Sequence, residues 1–227
     1  MKIYYEDDDL VVVEKPADVL SEPAAGKADI LSLWAEKSGG TPFLVHRLDR
    51  NTGGAMVLAK TPLAASKLSA AIQRREFQKD YFAVIKGKPA EPEGVFEDLL
   101  FRDAAKNKSF VVKRERKGVK KAVLSYRVLD SLSTEGGEIS LVSVRLHTGR
   151  THQVRVQFAS RKMPLLGDGK YGSRDNACET ALWSAGLSFP HPKTGKTVAV
   201  KSLPPRNYPW TLFSEEKFLS TAEKEAR

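Results

Sequence analysis

The sequence predicts an α+β protein in which helices flank a mixed, mostly antiparallel sheet. Short apolar segments typical of strands follow one another along much of the chain, without the regular strand–helix alternation of a parallel α/β protein. Apolar residues at helical spacing occur in only four segments. With 227 residues, 41% of them hydrophobic, the chain can bury a sizeable core. We therefore expect a single domain over residues 1–227, built as two fused halves.

The predicted elements place Asp49 at the end of a strand, directly after His46-Arg47-Leu48. Thr61 and Pro62 have the residue types of a helix N-cap and a first helical turn. Strands are predicted over residues 10–16, 43–49, 53–60, 79–87, 96–101, 108–114, 122–130, 138–146, 181–189 and 196–202. Helices are predicted over residues 29–37, 62–77, 152–162 and 210–227.

Positive charge is concentrated in one segment, residues 102–121, which we call the basic segment. The whole chain carries a net charge of +9, and the basic segment, with nine Lys and Arg against two acidic residues, carries +7. A phosphate backbone is the usual partner of such a segment, because each neutralised phosphate releases counterions. The alternative is a solvated hairpin that only keeps the protein in solution.

Several classes of protein are disfavoured. No run approaches ~18 apolar residues, and the N-terminus turns acidic where a signal peptide would be apolar, so we expect a cytoplasmic protein without a membrane span. The single Cys178 excludes an internal disulfide and a Cys-rich zinc site. Patterns of the types GxxxxGK[ST], GxGxxG, GxSxG and HExxH do not occur. His147 and His152 are five residues apart, which does not suit a helical metal pair, and we expect no metal.

Three residue types that can perform chemistry stand out, although each also has an ordinary interpretation. Asp49 precedes Arg-Asn-Thr-Gly-Gly, where an Asp is common in a turn. Tyr81, in the alternating segment KDYFAVIKG, could simply pack in a sheet. Arg155 and His152 are three apart at a predicted helix start, where an Arg is usually an exposed helix residue.

The motifs around these residues change that balance. The sequence resembles the RluA-type family of RNA pseudouridine synthases, whose motifs occur here in family order. HRLDRNTGG and TGRTHQVRVQ are the most specific matches, and EKPADVL and LSFPHP are weak alone. The matching segments are EKPADVL (14–20), HRLDRNTGG (46–54), KDYFAVIKG (79–87), TGRTHQVRVQ (148–157), PLLGDGKYG (164–172) and LSFPHP (187–192).

The resemblance implies a pseudouridine synthase fold with a central RNA-binding cleft and isomerisation of uridine to pseudouridine without a cofactor. It implies that Asp49 either attacks C1′ of the ribose or abstracts the C2′ proton, and these alternatives stay open. Arg155 would pair with Asp49 and keep it ionised. Tyr81 would stack on the released uracil and help to move a proton.

The resemblance also suggests how substrate RNA is held. Arg47 would fill the space that the flipped base leaves. Lys79, Arg150 and His152 would contact phosphates or the base, and Leu165 or Leu166 would form an apolar wall. The expected partner is ribosomal or transfer RNA and not DNA, and the protein is expected to be a monomer without a small RNA-binding module ahead of the catalytic domain.

Four residues depart from the family pattern, and two rival functions remain. Gly53 replaces a Ser, Asp18 a Gly, Gln157 a His, and Ser184 stands where a His is common. None of these is a chemistry position. The rivals are a catalytically silent RNA-binding protein of the same fold and a ribosyl N-glycosylase that releases uracil.

Overall fold

The computed structural model describes residues 1–224, and these form two compact units. The first unit consists of Met1–Asp80 and Trp183–Pro204. The second consists of Tyr81–Leu182 and the chain that follows Pro204. The chain therefore enters the second unit in the middle of the KDYFAVIKG motif.

The first unit is built on a sheet with strand order β1-β2-β4-β10, to which β3 adds on β4 and β11 on β10. Its pairs are antiparallel except for β4 and β10, which run parallel. The strands are β1 (Ile3–Glu6), β2 (Leu10–Lys15), β3 (Phe43–Leu44), β4 (Gly53–Ala59), β10 (Leu182–Pro190) and β11 (Thr197–Lys201). Every residue of β4 is buried, which explains its uninterrupted run of small and apolar side chains.

Two helices of the first unit begin where their N-cap residues predict, although the second ends at Gln73 and not at the predicted residue 77. In α1 (Ile30–Ser38), the Asp29 carboxylate accepts hydrogen bonds from the amides of Leu31 and Ser32, both at 3.0 Å, and the C-cap Gly39 has φ 73°. In α2 (Pro62–Gln73), Thr61 accepts a hydrogen bond from the Ala64 amide at 3.1 Å. The predicted N-cap and first-turn proline are therefore confirmed.

The strand predicted over residues 43–49 is wrong beyond Leu44. Side chains replace the backbone ladder there. The Val57 amide donates to Nε2 of His46 at 3.1 Å, and the Leu48 amide donates to Oγ of Ser21 at 3.0 Å. The Ser21 hydroxyl in turn donates to the Leu48 carbonyl at 2.8 Å. Residues 45–49 are therefore ordered by buried polar side chains rather than by strand pairing.

The second unit has strand order β5-β9-β8-β6-β7, with β7 at the edge. Its strands are β5 (Gln78–Lys86), which begins in the first unit, β6 (Glu93–Asp103), β7 (Lys108–Val112), β8 (Val119–Thr134) and β9 (Gly137–Leu146). The pairs β6–β7, β6–β8 and β8–β9 are antiparallel. The predicted α+β class with a mostly antiparallel sheet is confirmed.

The two helices of the second unit differ from the prediction in detail. The helix α3 (Gln153–Ser160) is shorter than the predicted 152–162 and is buried from Gln153 through Phe158, so Arg155 is not the exposed helix residue of its ordinary interpretation. The helix predicted over residues 210–227 is interrupted: a 3₁₀ turn covers Trp210–Leu212, Phe213 is extended, and α4 covers Glu215–Lys224. Burial of Phe213 and the two acidic residues at the start of α4 explain the interruption. Residues 225–227 of this prediction lie outside the described residues.

None of the helices among residues 1–224 combines the length and the apolar composition that a membrane span requires.

Candidate active site

In the first unit, Asp49 opens a tight turn that leads into β4. Its carbonyl accepts a hydrogen bond from the Thr52 amide at 3.0 Å, and its side chain is half-buried. Thr52 is buried, so the end of the turn is anchored in the protein interior. Asp49 is therefore a turn residue, as its ordinary interpretation predicts. The ordered turn also fixes the position from which its carboxylate extends.

Lys15, at the end of β2, ties this turn to the neighbouring loop. Its side chain is fully buried, and Nζ donates to the carbonyls of Pro16 at 2.8 Å, Val19 at 2.6 Å and Arg50 at 3.1 Å. Burial lowers the pKa of Lys15 to about 8, although the charges of Asp49 and Asp18 oppose that shift. The charge of Asp49 therefore favours the charged form of buried Lys15, and Lys15 in turn binds the backbone carbonyl of Arg50, the residue after Asp49.

Asp18 has an explanation in the same loop. It has φ 67°, in the left-handed region that Gly adopts without strain and that Asp tolerates better than most residues. Its carboxylate forms an ion pair with Nε of Arg50 at 2.8 Å. The family's Gly is therefore replaced by a residue that keeps the backbone conformation and adds a link to the turn of Asp49.

The other predicted residues of the first unit are Arg47 and Lys79. Arg47 is exposed and forms an ion pair with Glu22 at 2.9 Å. Lys79 lies with Nζ 5.3 Å from the centre of the Phe77 ring, and burial lowers its pKa to about 8. Burial and the charge of Lys79 lower the pKa of His46 well below its usual value, so His46 is neutral.

Because Nε2 of His46 accepts the Val57 amide proton, its own proton lies on Nδ1. That atom has no hydrogen-bond partner among residues 1–224.

In the second unit, Arg155 is fixed by a carboxylate to which sequence reasoning assigned no role. Arg155 is 7% exposed, and its Nε and Nη2 donate to the two carboxylate oxygens of Asp168 at 2.7 and 2.8 Å. Asp168 is 1% exposed. A buried bidentate pair of this kind fixes the plane of the guanidinium. The predicted pairing of Arg155 with Asp49 stays a prediction.

Arg150 and His152 lie directly before the start of α3. His152 has a left-handed backbone (φ 54°, ψ 28°) and is buried, and its Nδ1 shares a 2.9 Å hydrogen bond with the Tyr171 hydroxyl. A non-glycine residue in this conformation is uncommon and often marks a functional site. Arg150 is exposed, and its Nε donates to the Lys121 carbonyl at 3.0 Å. The structure therefore brings Arg150 next to the basic segment.

Tyr81 and Leu166 lie in the apolar interior of the second unit, 5% and 1% exposed. The Leu166 amide donates to the Val84 carbonyl of β5, and the Ala181 amide donates to the Leu166 carbonyl, both at 2.9 Å. Leu166 is therefore held between two backbone segments. Its predicted role as an apolar wall stays a prediction.

The remaining departures from the family pattern have local partners. Ser184 is fully buried and donates to the Ala55 carbonyl at 2.8 Å. Gln157 is also fully buried, and its Nε2 donates to Oδ2 of Asp98 at 2.7 Å and to the Phe96 carbonyl at 3.2 Å. Both residues thus connect neighbouring elements.

Sequence reasoning also missed Lys15 and Tyr171, although both, like Asp168, lie within the quoted motifs. Lys15 is buried at the end of β2, a strand whose first four residues are buried and apolar, and this is an unusual place for a lysine. Asp168 and Tyr171 lie in the glycine-rich PLLGDGKYG. The sequence signals that could have identified two of them are a lysine in an otherwise apolar strand, for Lys15, and a carboxylate between two glycines, for Asp168.

One cluster among residues 1–224 has the composition of a metal site. Single ligand atoms of Asp7, Asp9 and His191 lie within 4.8 Å of one another. However, both ring nitrogens of His191 are engaged: Nε2 contacts Oδ2 of Asp7 at 2.6 Å, and Nδ1 accepts the amides of Lys193 at 3.1 Å and Thr194 at 3.2 Å. The cluster is explained as a hydrogen-bonded link between the β1–β2 and β10–β11 connections.

Comparison with known proteins identifies the family. The family model described as RNA pseudouridylate synthase matches residues 9–160. An uncharacterised RNA pseudouridine synthase of Aquifex aeolicus is 34% identical, over 92% of this chain and 71% of its own. Ribosomal large subunit pseudouridine synthase D of Vibrio cholerae is 36% identical, over 86% of this chain and 65% of its own. The chain thus spans about two thirds of the length of these relatives.

Solved structures agree on the fold. Human RNA pseudouridylate synthase domain containing 1 superposes with a TM-score of 0.81 at 22% identity, covering 97% of this chain and 94% of its own. Human RNA pseudouridylate synthase domain containing 4 gives 0.74 at 23% identity, with 95% and 92% covered. The chain therefore has the pseudouridine synthase fold and belongs to the RNA pseudouridylate synthase family of isomerases, whose reaction converts uridine in RNA to pseudouridine.

Proposed function

We propose that this chain isomerises uridine to pseudouridine in structured RNA and that Asp49 is the carboxylate that acts on the ribose. The observation that carries the proposal is the position of Asp49: it opens a turn whose backbone is held by the buried Lys15 ammonium, and it interacts electrostatically with that cation. A carboxylate at a fixed place suits attack on a sugar carbon or abstraction of a sugar proton.

The reaction needs no cofactor, because its atoms and electrons balance within the substrate. The C1′–N1 bond breaks with the help of the Asp49 carboxylate, either through a covalent bond to C1′ or through loss of the C2′ proton. The released uracil rotates and C5 bonds to C1′, while either the bond between Asp49 and C1′ breaks or Asp49 returns the abstracted proton to C2′. The proton then leaves C5, and N1 ends with a proton. Both routes return Asp49 to its starting state.

Tyr81 and Arg155 support that chemistry in the proposal. A tyrosine ring offers a flat surface to the loose uracil, and its hydroxyl can carry a proton. The guanidinium of Arg155, whose plane Asp168 fixes, can orient and stabilise an anion through charge-assisted hydrogen bonds.

RNA would be held by cations around these groups. A target base must be flipped out of its stack at a cost of a few kcal/mol, which is lowest in loops. We propose that Arg47 fills the vacated space, that Leu166 forms an apolar wall, and that Lys79, Arg150 and His152 contact phosphates or the base. The basic segment, eight of whose nine Lys and Arg are exposed, would add affinity along the backbone.

Large-subunit ribosomal RNA is the substrate class that we propose to test first. The relatives described as ribosomal large subunit pseudouridine synthase D are 36% identical in Vibrio cholerae and 35% in Zymomonas mobilis. Mapping pseudouridines in total RNA from cells with and without the gene would test this choice. A lost site in transfer RNA, with the ribosomal sites intact, would overturn it.

Replacement of Asp49 by Asn tests the catalytic assignment. Asn keeps the size and the turn preference of Asp and removes its charge. Asp49→Asn should abolish tritium release from C5-labelled RNA while RNA affinity stays within about tenfold, or ~1.4 kcal/mol, of the wild type. Asp8→Asn, at an exposed position, is the matched control and should be fully active. More than a few per cent of the wild-type rate in Asp49→Asn would show that the assignment is wrong.

Three further measurements test the role of Arg155 and separate the rivals. Arg155→Ala should be severely impaired in turnover, because it removes the proposed partner of the Asp49 carboxylate. A wild-type protein that binds RNA and releases no tritium would be the silent RNA-binding protein. Free uracil in the reaction mixture would instead indicate an N-glycosylase.

A further inference from the structure

A chain of contacts in the second unit joins the basic segment to Arg155, and Tyr171 is at its centre. The Tyr171 hydroxyl accepts a hydrogen bond from the Ser109 amide at 2.8 Å and shares another with Nδ1 of His152 at 2.9 Å. Its ring lies 5.2 Å from the guanidinium carbon of Arg155. One side chain thus contacts the edge strand β7, the turn before α3 and the arginine inside α3.

The same junction has a second and a third connection. Ser109 is 2% exposed, and its hydroxyl donates to the Thr151 carbonyl at 2.6 Å, directly before His152. Lys108 places Nζ 5.0 Å from the centre of the Tyr171 ring and donates to the Lys170 carbonyl at 2.5 Å. Two consecutive residues of the basic segment are therefore anchored on the PLLGDGKYG loop and on the start of α3.

The PLLGDGKYG loop is itself rigid where it meets Arg155. The carbonyl of Asp168 accepts the amides of Tyr171 and Ser173, both at 3.1 Å, while its carboxylate holds Arg155. Gly167 has φ 70°, and a Cβ there would lie 2.3 Å from the Glu179 carbonyl oxygen, so the loop backbone is packed against the next segment. A displacement of Tyr171 therefore reaches Arg155 through the ring and through the Asp168 backbone.

The strand β7 is well placed to be displaced by RNA. It lies at the sheet edge and pairs with β6 alone among the described strands. On its other side, it is held by the side-chain contacts of Ser109 and Lys108. Beyond β7, the exposed side chains of Lys113, Arg114 and Lys117 form no ion pair with residues 1–224. Phosphates bound to these three cations would exert a force on β7, and the hydrogen bond between Ser109 and Tyr171 would transmit it to Tyr171.

We propose that Tyr171 is a positioning residue that couples the binding of an RNA backbone on the basic segment to the orientation of the Arg155–Asp168 pair. This inference rests on the proposed function. Coupling of this kind means that RNA contacts far from the uridine raise the rate of the bound complex and not only its affinity. A physical network of this type is tested by the non-additivity of substitutions at its two ends.

The experiment is a double-mutant cycle between the two ends, read out as RNA affinity and as the single-turnover rate at saturating RNA. At one end, Tyr171→Phe keeps the ring and removes both hydrogen bonds of the hydroxyl. At the other end, four cations are replaced by Ser: Lys113, Arg114, Arg116 and Lys117. Tyr126→Phe is the matched control, because its hydroxyl makes a long, 3.4 Å contact with the Glu91 carbonyl.

We expect the four Ser substitutions to lower the saturating rate at least fivefold in the wild-type and Tyr126→Phe backgrounds. In the Tyr171→Phe background they should change that rate less than twofold, while they weaken RNA binding equally in all three. If Tyr171→Phe does not fold, Ser109→Ala, which removes the hydroxyl bonded to Thr151, takes its place with the same expectation.

Equal reductions of the saturating rate in the wild-type and Tyr171→Phe backgrounds would overturn the inference. So would a basic-segment variant that loses affinity alone in the wild-type background. A wild-type protein that forms no pseudouridine would overturn the proposed function instead, and the two failures are therefore distinguishable.

Discussion

Gly53 is a residue whose identity is set by a single neighbour. A Cβ at this position would lie 2.4 Å from Cζ3 of Trp183, and the indole cannot retreat freely because Nε1 donates to Oγ of Ser202 at 3.0 Å. Gly53 and Trp183 face each other in the parallel pairing of β4 and β10. The family's Ser is therefore excluded by the large ring beside it, four residues after Asp49 opens its turn.

Substitutions at both positions should show strong coupling. Gly53→Ser alone should destabilise the protein by ~1–3 kcal/mol, since overpacking forces neighbouring atoms apart. Trp183→Leu alone should also destabilise it, because it leaves a cavity. The double variant should be at least ~1 kcal/mol more stable than the sum of the two single effects predicts. The measurement is urea denaturation at pH 7.

Gly40→Ser is the control for the Gly53 variant. Gly40 is exposed, has an ordinary backbone, and the nearest atom to an added Cβ is Oγ of Ser38 at 4.0 Å. Its free energy of unfolding should change by less than ~0.5 kcal/mol. Simple additivity of the Gly53 and Trp183 changes would show that the ring does not decide the residue.

At the scale of elements, the basic segment should contribute RNA affinity. Its cations lie at the end of β6, in the β6–β7 turn, on β7, in the β7–β8 connection and at the start of β8. We expect the four-Ser variant of the basic segment to flatten the dependence of log K on log salt by about one unit for each phosphate that it no longer binds.

A control with the same change of charge separates direct phosphate binding from net charge. Four exposed lysines elsewhere in the chain are replaced by Ser: Lys27, Lys37, Lys193 and Lys196. This control should keep the wild-type salt slope. An unchanged slope in the basic-segment variant would remove the segment from the RNA-binding surface.

Local sequence signals predicted some elements well and others poorly, for physical reasons. The start of α2 was predictable because an N-cap and a first-turn proline act within four residues. The strand expected over residues 43–49 failed because Ser21 and Val57, distant in sequence, supply the hydrogen bonds of that segment. Arg155 was found through its motif, whereas its Asp168 partner required the fold, since 13 residues and a loop separate them.

At the scale of the whole molecule, activity should survive chelation of metals. The cluster of Asp7, Asp9 and His191 already uses both nitrogens of its histidine in hydrogen bonds. We expect unchanged tritium release after dialysis against EDTA, with spermidine added so that the RNA stays folded. Loss of activity that a divalent ion restores under these conditions would show that the catalytic proposal is incomplete.

The pH dependence of stability should have an unusual alkaline limb. Burial lowers the pKa of both Lys15 and Lys79 from 10.5 to about 8, so the folded state disfavours their charged forms. Between pH 8 and 10.5 the unfolded chain then binds more protons than the folded protein, and the free energy of unfolding rises with pH. Each lysine should contribute a rise of about 1 kcal/mol between pH 7.5 and 9.

The rise should end at about pH 10, because the pKa values of other groups shift in the opposite sense. Burial raises the pKa of Cys178 from 9.0 to about 11, and a hydrogen bond to Asp175 raises that of Tyr208 from 10.0 to about 12. Both groups hold protons in the folded state that the unfolded chain has released, which lowers stability as pH increases further. We therefore expect a maximum of stability at about pH 10.

Lys79→Met isolates one half of this effect, since Lys79 forms no hydrogen bond or ion pair with residues 1–224 that its removal would break. The variant should be more stable than the wild type at pH 7.5, and its rise between pH 7.5 and 9 should be about half as large, as followed by urea denaturation at each pH. The exposed Lys193→Met is the control and should keep the full rise. A wild-type stability that is flat or falls from pH 7.5 to 9 would contradict the burial of charged Lys15 and the partial burial of charged Lys79 in the first unit.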